Sequence, residues 1–334
     1  MSPSPRVWPL FLATCACRCG RHTVTTATTL VQTPATTDIL DTTRDAIVGG
    51  HVHDAMGKLR TSLRELRSLL RPDDWTLIGE QARRHPLHNL LLESPFTRRA
   101  YEKPRGYAGD AVLMDLIYGM ARPGDDLSPL GGMLYGYEFD SPCFQSVRTR
   151  RAILAREIDS IAAARPDARV LSVASGHLRE IEWSRAARSG AVEITAIDQD
   201  RDSLAMIARD YQRYRVSTVP ATIGDLLRRS VRFADVDLAY AAGLYDYLDN
   251  DLARALTAAL FRMLRSGGRL LIANFTPATH DAAFMETFMD WRLIYRSPEE
   301  VRSLAGSIAP EAIAGIEQFS DANRHVTYMR VVKR

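Results

Sequence analysis

The sequence has no apolar run long enough to cross a membrane as a helix, which argues against stable membrane insertion. It has no Gly-x-Gly-x-x-Gly and no Gly-x-x-x-x-Gly-Lys-Ser/Thr, so a dehydrogenase or a P-loop kinase is disfavoured. Cysteine is scarce: 4 residues, three of them crowded at Cys15, Cys17 and Cys19, the fourth at Cys143. A C-x-C-x-C spacing without a nearby histidine pair is not a zinc arrangement, so no metal is expected. Cys143 reads as a packing residue, and the thiols as reduced, which places the protein in the cytoplasm. Excess charge is also missing. The net charge is +3 with arginines scattered rather than striped, so no nucleic-acid partner is expected.

What is present is the balance of a soluble globular protein: 334 residues, 46% hydrophobic and 25% charged. The length suits one large domain and a smaller one. Arg6 and the short apolar run Val7 to Ala13 faintly resemble a signal peptide, and Leu12-Ala13-Thr14-Cys15 a lipoprotein cleavage box, although Thr14 fits poorly before a lipidated cysteine. The Thr-rich stretch that follows reads as unstructured. Residues 1–44 are therefore expected to be a disordered leader.

From Asp45 the pattern is helical. Met56, Leu59, Leu63, Leu66 and Leu70 mark one face of an amphipathic helix. Further helices are expected from Trp75, over His88 to Phe96, over Ala111 to Tyr118 and over Ser146 to Ala164, with Ala121 to Asp140 as a loop. After Pro166 short apolar runs alternate with helical segments. Strands are expected at Arg169–Val173, Val192–Ile197, Val216–Thr222, Val236–Ala241, Arg269–Phe275 and Val326–Val332. Helices are expected at Arg179–Arg188, Ser203–Tyr211, Leu252–Leu264 and Ser297–Ala305. Such alternation predicts an α/β fold, a mostly parallel sheet covered on both faces. The predicted domains are a helical cap over 45–145 and the sheet domain over 146–334.

Four segments carry the chemistry. The first strand runs into Ala174-Ser175-Gly176-His177-Leu178, a turn at the carboxyl edge of the sheet, where doubly wound folds bind nucleotides. This resembles the first motif of Rossmann-like methyltransferases. Of that motif's glycines only Gly176 is kept; Ala174 and Leu178 replace the others, and Ser172 replaces the usual acid. The second strand ends on Asp198, about 20 positions later, where a carboxylate can accept both ribose hydroxyls; Gln199 follows. Third comes Gly224-Asp225-Leu226. Asp225 either hydrogen-bonds an adenine amino group beside Leu226 or simply caps a helix. Fourth, the strand through Tyr240 ends at Ala241 or Ala242, beside the expected methyl donor, and leads through Tyr245-Asp246-Tyr247 to a helix and Ser266-Gly267-Gly268.

The chain further resembles a group of bacterial class I methyltransferases. The resemblance rests on Lys103-Pro104-Arg105-Gly106-Tyr107-Ala108-Gly109-Asp110 and on Phe288-Met289-Asp290-Trp291-Arg292-Leu293-Ile294-Tyr295-Arg296. Some members of that group make extracellular factors by methylating the carboxyl of 3-hydroxy fatty acids. The resemblance implies a Rossmann-like methyltransferase sheet with an antiparallel last strand, S-adenosyl-L-methionine as cofactor and a small-molecule acceptor, a carboxylic acid first, another secondary metabolite second. A non-catalytic cofactor-binding regulator is the third reading, suggested by the depleted glycine loop. Gly106 and Gly109 are expected to form a tight positive-φ turn. It either folds over the cofactor, with Arg105 and Tyr107 at the methionine moiety or the substrate carboxylate, or is a structural turn in which Asp110 caps the next helix. The expected catalytic residues are Tyr107, Tyr245 and Tyr247. Those for the cofactor are Ala174, Ser175, Gly176, Asp198, Gln199, Gly224, Asp225, Leu226 and Ala242. Those for the substrate are Arg105, Tyr137, Trp291, Tyr295 and Arg296, with Trp291 and Tyr295 in a late helical insertion. The sequence leaves room for a homodimer.

Overall fold

The computed structural model describes residues 34–124 and 126–334. The cysteine cluster and the leader's apolar run lie outside them. The helices are α1 (Pro34–Val48), α2 (Val52–Leu69), α3 (Pro72–Arg84), α4 (Pro86–Leu91), α5 (Pro95–Glu102), α6 (Ala111–Ile117), α7 (Pro129–Phe139) and α8 (Pro142–Ala164). Then follow β1 (Ala168–Val173), α9 (Arg185–Arg188), β2 (Val192–Asp198), α10 (Arg201–Asp210), β3 (Val216–Pro220), α11 (Ile223–Leu227), β4 (Val236–Ala241), α12 (Asn250–Met263), β5 (Leu264–Phe275), α13 (Ala282–Phe288), α14 (Pro298–Ser303), β6 (Ile313–Ser320) and β7 (Val326–Lys333). Among the described residues no helix is long and apolar enough to cross a membrane.

The chain divides into two compact units that do not follow a single cut in the sequence. The first holds, of the described residues, 34–109 with Asp126–Tyr135 and Ala283–Trp291. Its α2 exists because Val52, Met56, Leu59 and Leu63 recur on one face, all of them buried. Its later strand of chain is anchored by Glu286, whose carboxylate takes both the Arg67 guanidinium (2.9 Å twice) and the Trp75 indole N–H (2.7 Å). His88 bridges the carbonyls of Arg83 and Phe288.

The second unit is the sheet domain. Its seven strands run in the order β3-β2-β1-β4-β5-β7-β6. β1 to β5 are parallel neighbours, and β7 is antiparallel to both β5 and β6. This is a Rossmann-like sheet, mostly parallel with an antiparallel strand beside β5, as expected. Its central strands are buried on both faces, as β4 shows with all six residues buried. One face packs on α12 through Leu171, Val173, Ala239, Ala241, Leu270, Ile272, Met329 and Val331 with Leu256 and Leu260. Ser141 caps α8 with Pro142 in its first turn, and Asp249 caps α12, which is why each helix starts where it does.

Several expectations need correction. Residues 34–44, expected to be disordered, belong to α1, and Thr36 and Leu40 are buried. Residues 129–139, expected as loop from their glycines and prolines, are α7; Pro129 stands at its first position, where a missing N–H costs nothing. Arg179–Arg188 is a single 3-10 turn and the one-turn α9, capped anew by Ser184. Trp291, Tyr295 and Arg296 follow α13 in irregular chain rather than lying on a helix.

Candidate functional site

Because β1 to β4 are parallel, the segments after them emerge at one edge of the sheet, the ligand edge of such folds. All belong to the second unit.

After β1 the backbone turns through three left-handed residues in alternation: Ala174 at φ 53°, Gly176 at 52° and Leu178 at 54°. Two of these are not glycine and carry strain of about 1–2 kcal/mol each. The glycine motif is thus lost in sequence and kept in backbone shape. The surroundings enforce it. Ser175 N–H donates to the Ile197 carbonyl (3.1 Å), Gly176 N–H to the Asp198 carboxylate (2.8 Å), and Leu178 N–H to the Ser175 carbonyl (2.9 Å). The Leu178 side chain is buried in the core. At Gly176 a Cβ would stand 3.4 Å from the Ala111 methyl, so α6 packs directly against the turn.

Asp198 joins the turns after β1 and β2. One carboxylate oxygen accepts from Gly176 N–H, the other from Asp200 N–H (2.9 Å). Burial raises its pKa, and the two N–H donors oppose that rise. Gln199 beside it is exposed. The remaining lone pairs of Asp198 suit a pair of hydroxyls.

A second acid, which the sequence reading missed, braces the same turn. Asp115 on α6 is buried and accepts from His177 Nδ1 (2.8 Å) and twice from Arg179 (2.9 and 2.7 Å). Burial works against its charge, yet the Arg179 and His177 bonds prevail and hold the carboxyl below its usual range. Asp110 caps α6 by accepting from Leu113 N–H (2.8 Å), the structural role weighed for it. The signal for Asp115 was faint: an acid five positions after a capping aspartate, on a helix whose apolar residues dominate its pattern.

Other predicted residues take structural roles. Asp225 forms a capping box with Thr222, accepting from its N–H (2.9 Å) and hydroxyl (2.6 Å), with Arg228 on the other oxygen (3.0 Å). Those hydrogen bonds, Thr222 first, hold it at a pKa of about 2. Gly224 and Leu226 lie on the same one-turn helix, and Leu226 is buried in the core. Ala242 follows β4 and is half-buried. Tyr245, expected at the reacting methyl, is instead fully buried in the core facing α12, its hydroxyl on Thr257 (3.0 Å). Arg296, expected at the substrate, is also a structural residue. It donates to the carbonyls of Tyr245 (2.8 Å) and Leu248 and to Asn274 (2.8 Å) and Asn250 (3.0 Å), which fixes the turn after β4. Its donors are spent on backbone that has no strand partner there. Tyr247 is half-buried on that 3-10 turn; Tyr137 and Tyr295 are half-buried elsewhere in the second unit.

Between Tyr245 and Tyr247 stands Asp246, buried, accepting from Phe275 N–H (2.6 Å) and pushed up to about 6 by burial. In the first unit Lys103, left-handed at φ 49°, ends α5 and pairs with Asp290 (2.7 Å). Gly106 is left-handed at φ 89°; Gly109, expected to share that conformation, does not. Arg105 and Tyr107 are half-buried, and Trp291 is buried.

No family model and no curated protein matches the sequence. Solved structures do. A possible exported protein from Bordetella parapertussis is similar at 20% identity and a TM-score of 0.60, covering 74% of this chain and 85% of that one. That likeness establishes the fold. Magnesium protoporphyrin IX methyltransferase from Synechocystis matches more loosely, with 13% identity, a TM-score of 0.46 and coverage of 71% and 98%. The N-methyltransferase NodS from Bradyrhizobium japonicum does so with 16% identity, a TM-score of 0.44 and coverage of 70% and 98%.

Proposed function

We propose that the protein is an S-adenosyl-L-methionine-dependent methyltransferase acting on a small molecule, with a carboxylic acid as the preferred acceptor. The observation that carries this reading is the turn after β1, held left-handed at three alternating residues and tied by Gly176 N–H to Asp198. A chain that keeps this shape with alanine and leucine at the strained positions has spent stability on a ligand-binding backbone.

The residues fit the cofactor. Asp198 would hold the ribose hydroxyls, Gln199 would border them, and Ala174, Ser175 and Gly176 would lie along the methionine portion. Bound there, S-adenosylmethionine supplies a methyl group on a sulfonium sulfur, whose departure leaves the electron pair on sulfur. The protein's share is alignment and exclusion of water. A carboxylate acceptor needs no general base. The buried Asp246 and the core position of Tyr245 agree with a reaction in which no tyrosine has to ionise. From the sequence reading, Tyr107 and Tyr247 are proposed beside the reacting groups, and Arg105, Tyr137, Trp291 and Tyr295 for the substrate. A cytoplasmic setting and a role in secondary metabolism belong to the same proposal.

Calorimetry with S-adenosylmethionine and S-adenosylhomocysteine tests the cofactor, and methyl incorporation from labelled donor tests the reaction. Label that is released by mild base marks an ester; base-stable label points to nitrogen, sulfur or ether oxygen. Tight cofactor binding without turnover on any cell extract would return the regulator reading. Arg105→Ala with cofactor and acceptor affinities both unchanged would remove that residue from the site.

A further inference from the structure

Arg150 is a buried arginine on α8 that the proposed mechanism does not use. Its guanidinium reaches the segment after β4: a Cβ on Gly243 would stand 3.4 Å from Nη1. Its donors meet the Met114 thioether, 3.5 Å from Nη2, and the Tyr118 hydroxyl. No carboxylate of the described residues stands at ion-pair distance from it. The neighbouring arginines are treated differently. Arg151 pairs with Glu182, Arg179 with Asp115 and Arg330 with Glu157. A guanidinium taken out of water without a counterion is costly, and proteins seldom leave one so.

The buried acids within its electrostatic reach are committed elsewhere. Glu180 accepts from the Tyr240 hydroxyl at 2.5 Å, and Asp246 accepts from Phe275 N–H. Tyr328 on β7 is fully buried, and its hydroxyl has no hydrogen-bond partner among the described residues. A buried guanidinium with no carboxylate at ion-pair distance is a receptor for an anionic group of a ligand.

We infer that Arg150 receives the carboxylate of the acceptor acid. The inference rests on the methyltransferase reading and adds to it the residue that selects the acceptor. The place differs from that of Asp198: Asp198 ends β2, whereas Arg150 meets the segment after β4. A single guanidinium can hold one carboxylate oxygen and leave the other free to attack. The product ester carries no charge, so it loses the ion pair and leaves.

The test measures binding to the full-length protein without turnover. The probes are a series of 3-hydroxy fatty acids, their methyl esters and S-adenosylhomocysteine, titrated by calorimetry into wild type, Arg150→Met and Arg150→Lys. Wild type is expected to prefer each acid over its ester. Arg150→Met should weaken the acid about 100-fold, as for loss of one partner of a buried charge pair, and leave the ester and S-adenosylhomocysteine within twofold. Arg150→Lys should retain part of the acid's affinity. Arg150→Met should also unfold at no lower temperature than wild type, since it removes a buried charge, whereas Arg296→Met should unfold far earlier. Equal binding of acid and ester by wild type overturns the inference. So does a fall in S-adenosylhomocysteine affinity with the acid unmoved, which would give Arg150 to the cofactor. Failure of wild type to bind S-adenosylhomocysteine at all would instead sink the methyltransferase reading, whatever Arg150 does.

Discussion

Replacing Ala174 by glycine should make the protein more stable, which is the reverse of the usual effect of inserting glycine. Ala174 sits at φ 53° on the exposed side of the turn after β1. Its Cβ costs about 1–2 kcal/mol in that conformation. Glycine removes the strain but loosens the unfolded chain, at about 0.4–1 kcal/mol. The methyl group is exposed, so its removal gives up almost no packing. The net expectation is a gain of about 1 kcal/mol in the unfolding free energy of the sheet unit. Urea titration should read it as a higher midpoint at unchanged slope. Leu178→Gly is the internal control. It relieves the same strain at φ 54° but deletes a buried side chain, worth about 2–5 kcal/mol, so it should destabilise. Affinity for S-adenosylhomocysteine should change less than about threefold in Ala174→Gly, because neighbouring bonds to Ile197 and Asp198 still set the turn. If Ala174→Gly is neutral or destabilising, the left-handed strain is not there, and the account of a ligand-shaped turn kept without glycine falls with it.

Asp246 should make the protein less stable as pH rises. Its folded-state pKa, about 6 against an ordinary 3.8, favours the protonated form, so the penalty is absent below pH 3.8, grows through pH 6 and is complete above it. About two units correspond to about 3 kcal/mol, so Asp246→Asn should stabilise by up to that amount at pH 8 and flatten the profile between pH 4 and 7; an unchanged profile by thermal melts would contradict the burial argument. Asp115→Ala should cost about 2–3 kcal/mol by freeing His177 and Arg179, and should weaken S-adenosylhomocysteine about tenfold in calorimetry; equal affinity would make Asp115 purely structural. Arg296→Met should cost at least about 3 kcal/mol in chemical denaturation, since carbonyls of Tyr245 and Leu248 lose their donor; tolerance of that change would reopen a substrate role for it. Asp225, held near pKa 2 by Thr222, should contribute stability that is complete above pH 3.8 and lost as pH falls through 2, so Asp225→Ala should differ from wild type in melts at neutral pH and converge with it in strong acid.

Hydrophobic periodicity by itself determined the α/β class, because a strand buried on both faces needs a continuous apolar run and a helix on the surface needs a 3.6-residue stripe. Asp198 was singled out by a local argument, an acid at a strand end with another residue free to cap the helix; in the structure Asp200 caps α10, and Asp198 ties the turns after β1 and β2 together. The ambiguities left open were those in which one residue could serve a ligand or its own backbone. Asp225 and Asp110 turned out to serve backbone, as did Arg296, which had been expected at the substrate, and only their hydrogen-bond partners could show it. Tyr245 and Tyr247 sit two residues apart, and tertiary packing alone sent the first into the core against α12. The helix α7 was hidden because glycine and proline are weighed as loop formers, although proline is well suited to a helix's first turn. Most of all, the turn after β1 looked depleted in sequence. Its left-handed shape is fixed by bonds to β2 and by α6, whose residues lie far off along the chain. Backbone conformation at a strained site is set by the sum of such contacts, and no local reading of Ala174 or Leu178 contains them.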